Sequence, residues 1–352
     1  MPLNPKILAV ETELPEYTRR TEDIIELIGE HLKGQPERFQ EKVKRIFKYA
    51  QVDQRYSIMP EERVFAPLSF EEKNDYYIEK VIDLSEKVLR KTLLKANLQP
   101  DDIDFIITVS CTGFMIPSVD AFLINKLRMR QDIVRLPVTE MGCAAGVSAL
   151  IYADNFVRNK PGSRAAIIAV ESPMSTFQHE DFSMTNMVSS AIFGDGAACA
   201  ILGYDEKPGP AIIDTEMFHF YDEIQMMGFR VRNSGFQMVL DPGVPEKIQD
   251  HFDEIIHPFL AKNNLTIEDI RHLIFHPGGK KIVQLVDELF GKLGKNIDAT
   301  RAILRDYGNM SSATVLYVLK SIMEQETAVG EKGLMLSFGP GFSAQRVLLE
   351  WQ

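Results

Sequence analysis

Three residues in this chain could do chemistry together: Cys143 in GCAAG, His276 in HPGG and Asn309 in YGNMSSAT. A thiolate attacks a carbonyl carbon, and an imidazole takes and returns the proton that the thiol must lose. An amide donates a hydrogen bond to an oxyanion without itself titrating. Cys143 follows Gly142 and opens a run of small residues, so its sulfur is expected at a helix N-terminus, where backbone N–H groups and the dipole favour thiolate. Gly142, Ala144, Ala145 and Gly146 leave room for a bulky substrate. His276 closes an apolar run before Pro277, Gly278 and Gly279, the carboxyl end of a strand where α/β folds place catalytic groups. Each residue also has a plainer reading: a packing thiol, a strand-end histidine, a capping asparagine. No Asp or Glu adjoins His276 or Asn309, so this is not a Ser/His/Asp-like set. Two reactions fit the trio: thiol hydrolysis of a peptide, and acyl transfer from a thioester to a carbon nucleophile.

The elements that must position these residues alternate between strand and helix. Helical spacing runs through 24–32, 39–50 and 76–96, so the first hundred residues read as mainly helical. Apolar runs predict strands over 103–109, 165–172 and 197–204, with a helix over 119–128 and another over 142–157. DEKPGPA, residues 205–211, is the expected boundary between lobes. The second lobe repeats the order: a helix over 246–263, a strand over 272–276, a helix over 280–293, a helix after Asn309, then strands over 334–338 and 346–351. Each lobe ends in a strand pair, which suggests a duplicated α/β unit.

Composition excludes several classes. With 352 residues the chain can bury a sizeable core. Three cysteines, Cys111, Cys143 and Cys199, are too few for a disulfide framework, which points to a reducing cytosol. Cys199 lies inside an apolar run and reads as packing. The balance of 39 basic and 50 acidic residues, a net charge of −11, disfavours nucleic acid and anionic membrane surfaces. MPLNPKILAV shows no signal peptide, and no run approaches the ~18 apolar residues of a membrane span. A cytoplasmic location is the expectation. The other histidines, His31, His179, His219, His251, His257 and His272, stand mostly in polar surroundings and read as solvated.

GCAAG, FGDGAA from Phe193, HPGG, YGNMSSA and FGPG from Phe338 occur in that order along nearly the whole chain. In this the sequence resembles the chalcone/stilbene synthase family, the type III polyketide synthases of the thiolase-like superfamily. The related ketoacyl synthases III carry HQAN-like and NTS-like segments instead. The resemblance implies an α/β thiolase-like fold of two similar βαβαβαββ halves, 1–207 and 208–352, in a five-layer α-β-α-β-α core. It implies iterative decarboxylative condensation of malonyl-CoA onto an acyl-CoA starter held on Cys143, followed by cyclisation to a pyrone, resorcinol, naphthol or chalcone-like product. His276 and Asn309 would hold the malonyl thioester carbonyl. Phe193 matches the gatekeeper whose apolar face disfavours the malonyl carboxylate. Coenzyme A thioesters are substrates here, and no cofactor or metal is expected. EKVKRIFK supplies a basic helix face on which Lys42 and Arg45 match the family's phosphate contacts, with Lys48 beside the third position, Tyr49. Gly278 and Gly279 would let backbone approach the pantetheine arm.

Departures from the plant pattern bear on the product. Met238 stands where plant enzymes have a second gatekeeping Phe, and Cys111 where they have a cavity-lining Thr. Thr112, Thr176, Ser311 and Phe338 are further cavity positions by the same resemblance. The stretch 217–230 is shorter than in plants. Ile116, before Pro117, matches the residue that reaches into a partner's cavity, which implies a homodimer. Two other classes remain to be weighed: a single-round ketoacyl synthase III-like enzyme, and a non-catalytic CoA-thioester binding protein. A papain-type hydrolase shares the Cys, His, Asn order but not the secreted, disulfide-bearing context.

Overall fold

A strand buried on both faces has to be apolar along nearly its whole length, and AAIIAVE and GAACAILG are buried at every residue and apolar at all but Glu171. The computed structural model describes residues 4–352. The first half opens with β1 (Lys6–Glu13), β2 (Tyr17–Arg20), α1 (Thr21–His31), α2 (Glu37–Lys48), β3 (Gln54–Ser57), α3 (Glu61–Val64) and α4 (Phe70–Ala96). It continues through β4 (Phe105–Val109), α5 (Val119–Leu127), β5 (Val134–Val138), α6 (Ala145–Asn159), β6 (Ala165–Glu171), α7 (Met184–Ile192) and β7 (Gly196–Gly203). The second half runs β8 (Pro210–His219), β9 (Met227–Arg232), β10 (Gly235–Leu240), α8 (Val244–Lys262), β11 (Ile270–Phe275) and α9 (Lys280–Gly291). It closes with α10 (Asp298–Tyr307), α11 (Thr314–Met323), β12 (Lys332–Gly339) and β13 (Ser343–Trp351).

Nine strands hydrogen-bond in the order β11-β12-β13-β8-β1-β7-β6-β4-β5. The two halves of this sheet join at β1 and β8, through the pair Lys6 and Ala211. Alternate residues of each strand then separate three apolar layers. Ile106, Ile168 and Ile201 face outward onto α4 and α5. Ile107, Ile167 and Ala200 face inward onto α6 and α11, and Ile274, Met335 and Val347 of the second half meet the same helices from the other side. Phe275, Leu336 and Leu348 turn outward onto α8 and α9. The result is the five-layer arrangement, helices–sheet–helices–sheet–helices.

The first half follows the βαβαβαββ order once β2, α1, α2, β3 and α3, and α7 between β6 and β7, are set aside as insertions. The second half departs from it in two places: the β9–β10 hairpin is inserted after β8, and between α9 and α11 the chain forms α10 rather than a third core strand. The first hundred residues are also less helical than their periodicity suggests. ILAVETE forms β1, paired antiparallel with β7 at the centre of the sheet. Its short alternation is masked by the long helical runs beside it. The longest of those, α4, starts at Phe70 rather than Tyr76. Ser69 caps it, its Oγ accepting from Glu72 N at 3.2 Å while Glu72 accepts from Ser69 N at 2.9 Å. His31 and His272 are not solvated as expected: His31 packs on the rings of Phe177 and Phe182, and His272 bonds Glu331 at 2.8 Å.

The central helices approach closely because α6 carries glycine at the crossing. A Cβ on Gly146 would lie 2.3 Å from the Ser312 carbonyl oxygen, so the backbone of the second half must retreat for any larger residue. Gly146→Ala is expected to lower folding stability by about 1–3 kcal/mol, measured as a shift in the denaturant midpoint. An unchanged midpoint would mean that the two central helices tolerate separation.

Candidate active site

Cys143 sits in a 3₁₀ turn, Gly142–Ala144, that leads into α6. Gly142 adopts φ +50, which turns the chain sharply into the helix. The Cys143 carbonyl accepts from Ser337 Oγ of β12 at 2.8 Å. On the same strand the Leu336 carbonyl accepts from His276 N at 3.0 Å. Strand β12 therefore ties the backbones of Cys143 and His276 together.

Asn309 precedes α11 and is oriented by its own neighbours. Ser311 N donates to Asn309 Oδ1 at 2.8 Å, and Thr314 Oγ1 lies 3.3 Å from the same oxygen. With Oδ1 taken, the amide NH2 is left for the Gly278 carbonyl at 3.4 Å and for the Cys143 sulfur. Ser311 manages this with φ +49, a left-handed conformation rare for a side-chain-bearing residue. The Asn309 backbone also bridges Phe193: its N–H donates to Ile192 O at 2.8 Å, and its carbonyl accepts from Gly194 N at 3.1 Å. The gate residue and the amide are thus held on one pair of hydrogen bonds.

Cys143, His276, Asn309, Phe193, Met238, Cys111, Thr112, Ser311, Phe338 and Gly278 all line one cavity of about 480 Å³. Its remaining walls are largely apolar, with Met227, Phe229, Val231 and Phe236 contributed by the β9–β10 hairpin. Thr176 is a correction. It lies behind Phe193 and Met238, in a small crevice that adjoins the cavity at Pro173, Phe193 and Met238 rather than in the cavity itself, its hydroxyl donating to Pro173 O at 2.7 Å. The 3₁₀ turn Pro173–Thr176 folds the hydroxyl back onto its own backbone.

A second cavity, of about 880 Å³, shares Leu240, Gly278 and Ile282 with the first, so the two communicate there. Lys42 and Arg45 line it as expected, as do Gly278 and Gly279. Lys48 does not. It is exposed, with Nζ 5.9 Å from the Tyr49 ring, because it lies off the face of α2 that carries Arg38, Lys42, Arg45 and Tyr49 to the cavity. Three cations that the sequence reading missed, Arg38, Lys280 and Lys281, line the cavity as well. Lys280 and Lys281 stand in the first turn of α9, where the helix dipole disfavours cations. That misplacement was the available signal.

Two buried carboxyls were also missed. Glu171, at the end of β6, accepts from Cys111 N at 3.0 Å, Thr112 Oγ1 at 2.8 Å and Ser312 Oγ at 2.5 Å. It is the lone charge closing an otherwise apolar strand, which is a readable anomaly. Asp195 of FGDG accepts from Ile58 N and Met174 N, both at 2.9 Å, and from Ser172 Oγ at 3.1 Å. It anchors the turn that carries Phe193, and burial pushes its carboxyl up to about 7.

The electrostatics overturn one expectation. Burial pushes the Cys143 thiol up to about 12; the Ser311 hydroxyl opposes this, Glu171 adds to it, and the Asn309 amide opposes it. The roughly 0.3–2 kcal/mol that a helix N-terminus offers an anion does not offset that burial. Burial likewise drives His276 down to about 3, and both of its ring nitrogens lack a protein partner. Cys111 is raised well above the ordinary thiol value by burial and then by Glu171. Cys111 and Cys143 both contact Ser311 Oγ, at 3.5 and 3.6 Å. As separate groups, then, thiol and imidazole are neutral. A thiolate here needs a neighbouring group to accept its proton, and His276, neutral at rest, lines the same cavity.

No group of three or more His, Cys, Asp or Glu is placed to hold a metal ion among the described residues. No helix among them is long and apolar enough to cross a membrane.

Comparison with known proteins agrees with this geometry. The family described as chalcone and stilbene synthases matches with its N-terminal domain over residues 4–206 and its C-terminal domain over residues 218–351. A 1,3,6,8-tetrahydroxynaphthalene synthase of Streptomyces peucetius is 32% identical, over 98% of this chain and 93% of its own. A phloroglucinol synthase of Pseudomonas fluorescens is 31% identical, over 88% of each chain. The crystal structure of the Streptomyces coelicolor 1,3,6,8-tetrahydroxynaphthalene synthase, a bacterial type III polyketide synthase, superposes with a TM-score of 0.93. It is 28% identical and covers 99% of both chains.

Removing the imidazole tests the proton argument. In His276→Ala, alkylation of Cys143 by iodoacetamide at pH 7 is expected to fall by at least about tenfold. Because the thiol's own value is raised, the residual rate should keep climbing with pH and not level off below about pH 10. An unchanged rate at pH 7 would remove His276 as the base.

Proposed function

We propose residue roles for a chain that belongs to the chalcone and stilbene synthase family: it is a type III polyketide synthase, and Cys143 is its nucleophile. Enzymes of this type condense malonyl-CoA iteratively and cyclise the product. The observation that carries the assignment is convergence. Cys143 from the first half and His276 and Asn309 from the second line one cavity, which opens through Leu240, Gly278 and Ile282 onto a cation-rimmed entrance.

In the proposed cycle His276 accepts the Cys143 proton as an acyl-CoA enters. The thiolate attacks the thioester carbonyl, the C–S bond to coenzyme A breaks, and the departing thiolate takes up a proton. Malonyl-CoA then binds with its thioester carbonyl toward His276 and Asn309. The neutral imidazole and the Asn309 amide are donors, and the charge they meet is greatest once CO2 has left and the oxygen has become an enolate. They therefore lower the barrier rather than merely tighten binding. The enolate carbon attacks acyl-Cys143, which breaks the C–S bond, expels the Cys143 thiolate and leaves a chain two carbons longer on coenzyme A. Return of that chain to Cys143 starts the next round. Phe193 presents an apolar face where the malonyl carboxylate must lie, which favours its loss as CO2. Lys42 and Arg45, with Arg38, Lys280 and Lys281, supply the positive rim for the coenzyme A phosphates on an acidic protein.

The halves 1–207 and 208–352 act as one catalytic unit, and we read the working form as a homodimer. Ile116 is 82% exposed and Phe114 54%, an apolar patch on the loop between β4 and α5. Phe114 also lines the active cavity, so the cavity reaches this face. The product is a small cyclised aromatic or pyrone, as in the naphthalene- and phloroglucinol-forming relatives.

Two experiments test these roles. With malonyl-CoA and a panel of aromatic and fatty acyl-CoAs, product masses should show several extensions. Cys143→Ala should abolish extension yet keep malonyl-CoA decarboxylation, whereas Asn309→Ala should slow decarboxylation by about 10²–10³-fold. Polyketide formation surviving Cys143→Ala would disprove the nucleophile. Ile116→Asp should shift the protein toward monomer in sedimentation and reduce polyketide yield; an unchanged sedimentation profile would exclude this face as the interface.

A further inference from the structure

The β9–β10 hairpin forms one wall of the active cavity but belongs to no larger sheet: its strands pair only with each other. Apart from Gly235, no residue of its two strands is fully buried. An element with so little buried surface has low local stability and must be held by specific bonds.

Those bonds come from three side chains. Lys73 reaches from α4 and is 6% exposed. Its ammonium donates to Phe177 O at 2.6 Å on the body and to Ser234 O at 3.2 Å in the hairpin turn. Gln178 Nε2 donates to Phe236 O at 3.2 Å, and Gln237 Nε2 donates to Asp181 Oδ2 at 3.0 Å. Lys73 forms no ion pair among the described residues, and burial pulls its ammonium down to about 8. A buried cation with no carboxylate is costly unless its hydrogen bonds are needed. Here they join the hairpin turn to the loop after Thr176, beside the edge-to-face contact of Phe70 with Phe236 and the partly buried packing of Met227, Met238 and Leu240 on the core.

We propose that the β9–β10 hairpin is a separately tethered wall of the cavity, and that Lys73 is the positioning residue that holds it and so sets which product the site releases. Met227, Phe229, Val231, Phe236 and Met238 move with the hairpin, whereas Cys143, His276 and Asn309 stand on other elements. Loosening the tether alters the space around a growing chain and leaves starter loading intact. This rests on the polyketide-forming reading only for its consequence; the tether itself is tested independently of it.

The test uses the full-length protein. In Lys73→Met, amides of residues 227–240 should exchange with deuterium at least about tenfold faster, with those of β6 and β7 unchanged; Lys73→Arg should restore protection. Acylation of Cys143 by a starter acyl-CoA, read by intact mass, should stay within about threefold of wild type, while the share of the main product drops by at least about threefold. Unchanged hairpin exchange overturns the tether, whatever the enzyme makes. Faster exchange with an unchanged product distribution overturns control of the product. If Lys73→Met does not fold, Gln237→Ala, which cuts a half-exposed tether to the same hairpin, decides: faster exchange with a shifted product share supports the proposal, and no change in either overturns it. Failure of the wild-type protein to extend any starter would instead count against the polyketide reading, and would leave the exchange result standing.

Discussion

The contact on which this molecule turns is the meeting of its two central helices at their first turns. Gly146 leaves no side chain between α6 and the Ser312 carbonyl. Cys143, three residues before Gly146, is thereby brought to Ser311 and Asn309, which stand just ahead of α11. A pair of helices buried on all sides cannot be spread apart without opening the middle apolar layer, so the catalytic residues inherit the rigidity of the core. Asp195 and the Phe193–Asn309 bridge extend that rigidity to the gate.

Rigidity has an electrostatic consequence. The site is too dry to hold isolated charges, and Glu171 adds a negative field beside both cavity thiols. In the proposed roles, the charges on Cys143 and His276 are worth forming only together. A neutral imidazole at rest also suits a group that must donate to an enolate. Positive charge is kept outside, at the rim of the entrance, where water still solvates it and coenzyme A phosphates can compete for it.

Much of the fold was legible because buried strands and amphipathic helices leave strong periodic traces. AAIIAVE, HLIF and the run over 119–128 fall where their patterns place them. β1 was hidden, because eight residues of mixed burial beside long helical runs carry too little signal. Strand β5, at the sheet edge, is mostly exposed and reads as loop. The motifs carried the cavity thiols, the gate and two of the entrance cations. Thr176 and Lys48 failed through local geometry: Thr176 bonds its own turn at Pro173 O, and Lys48 lies off the face of α2 that carries Lys42, Arg45 and Tyr49.

The sequence by itself determined the family, the candidate trio Cys143, His276 and Asn309, and the α/β layout, since these reside in residue type, order and periodicity. Only the tertiary structure decided which way the Cys143 thiol and the His276 imidazole are pushed, because desolvation depends on what encloses a group rather than on its neighbours in the chain. It also placed Glu171 beside both cavity thiols, joined the cavity to its basic entrance through Leu240, Gly278 and Ile282, and bonded Lys73 to the hairpin turn. Each of these is a contact between segments far apart in sequence, and no local pattern encodes such a contact.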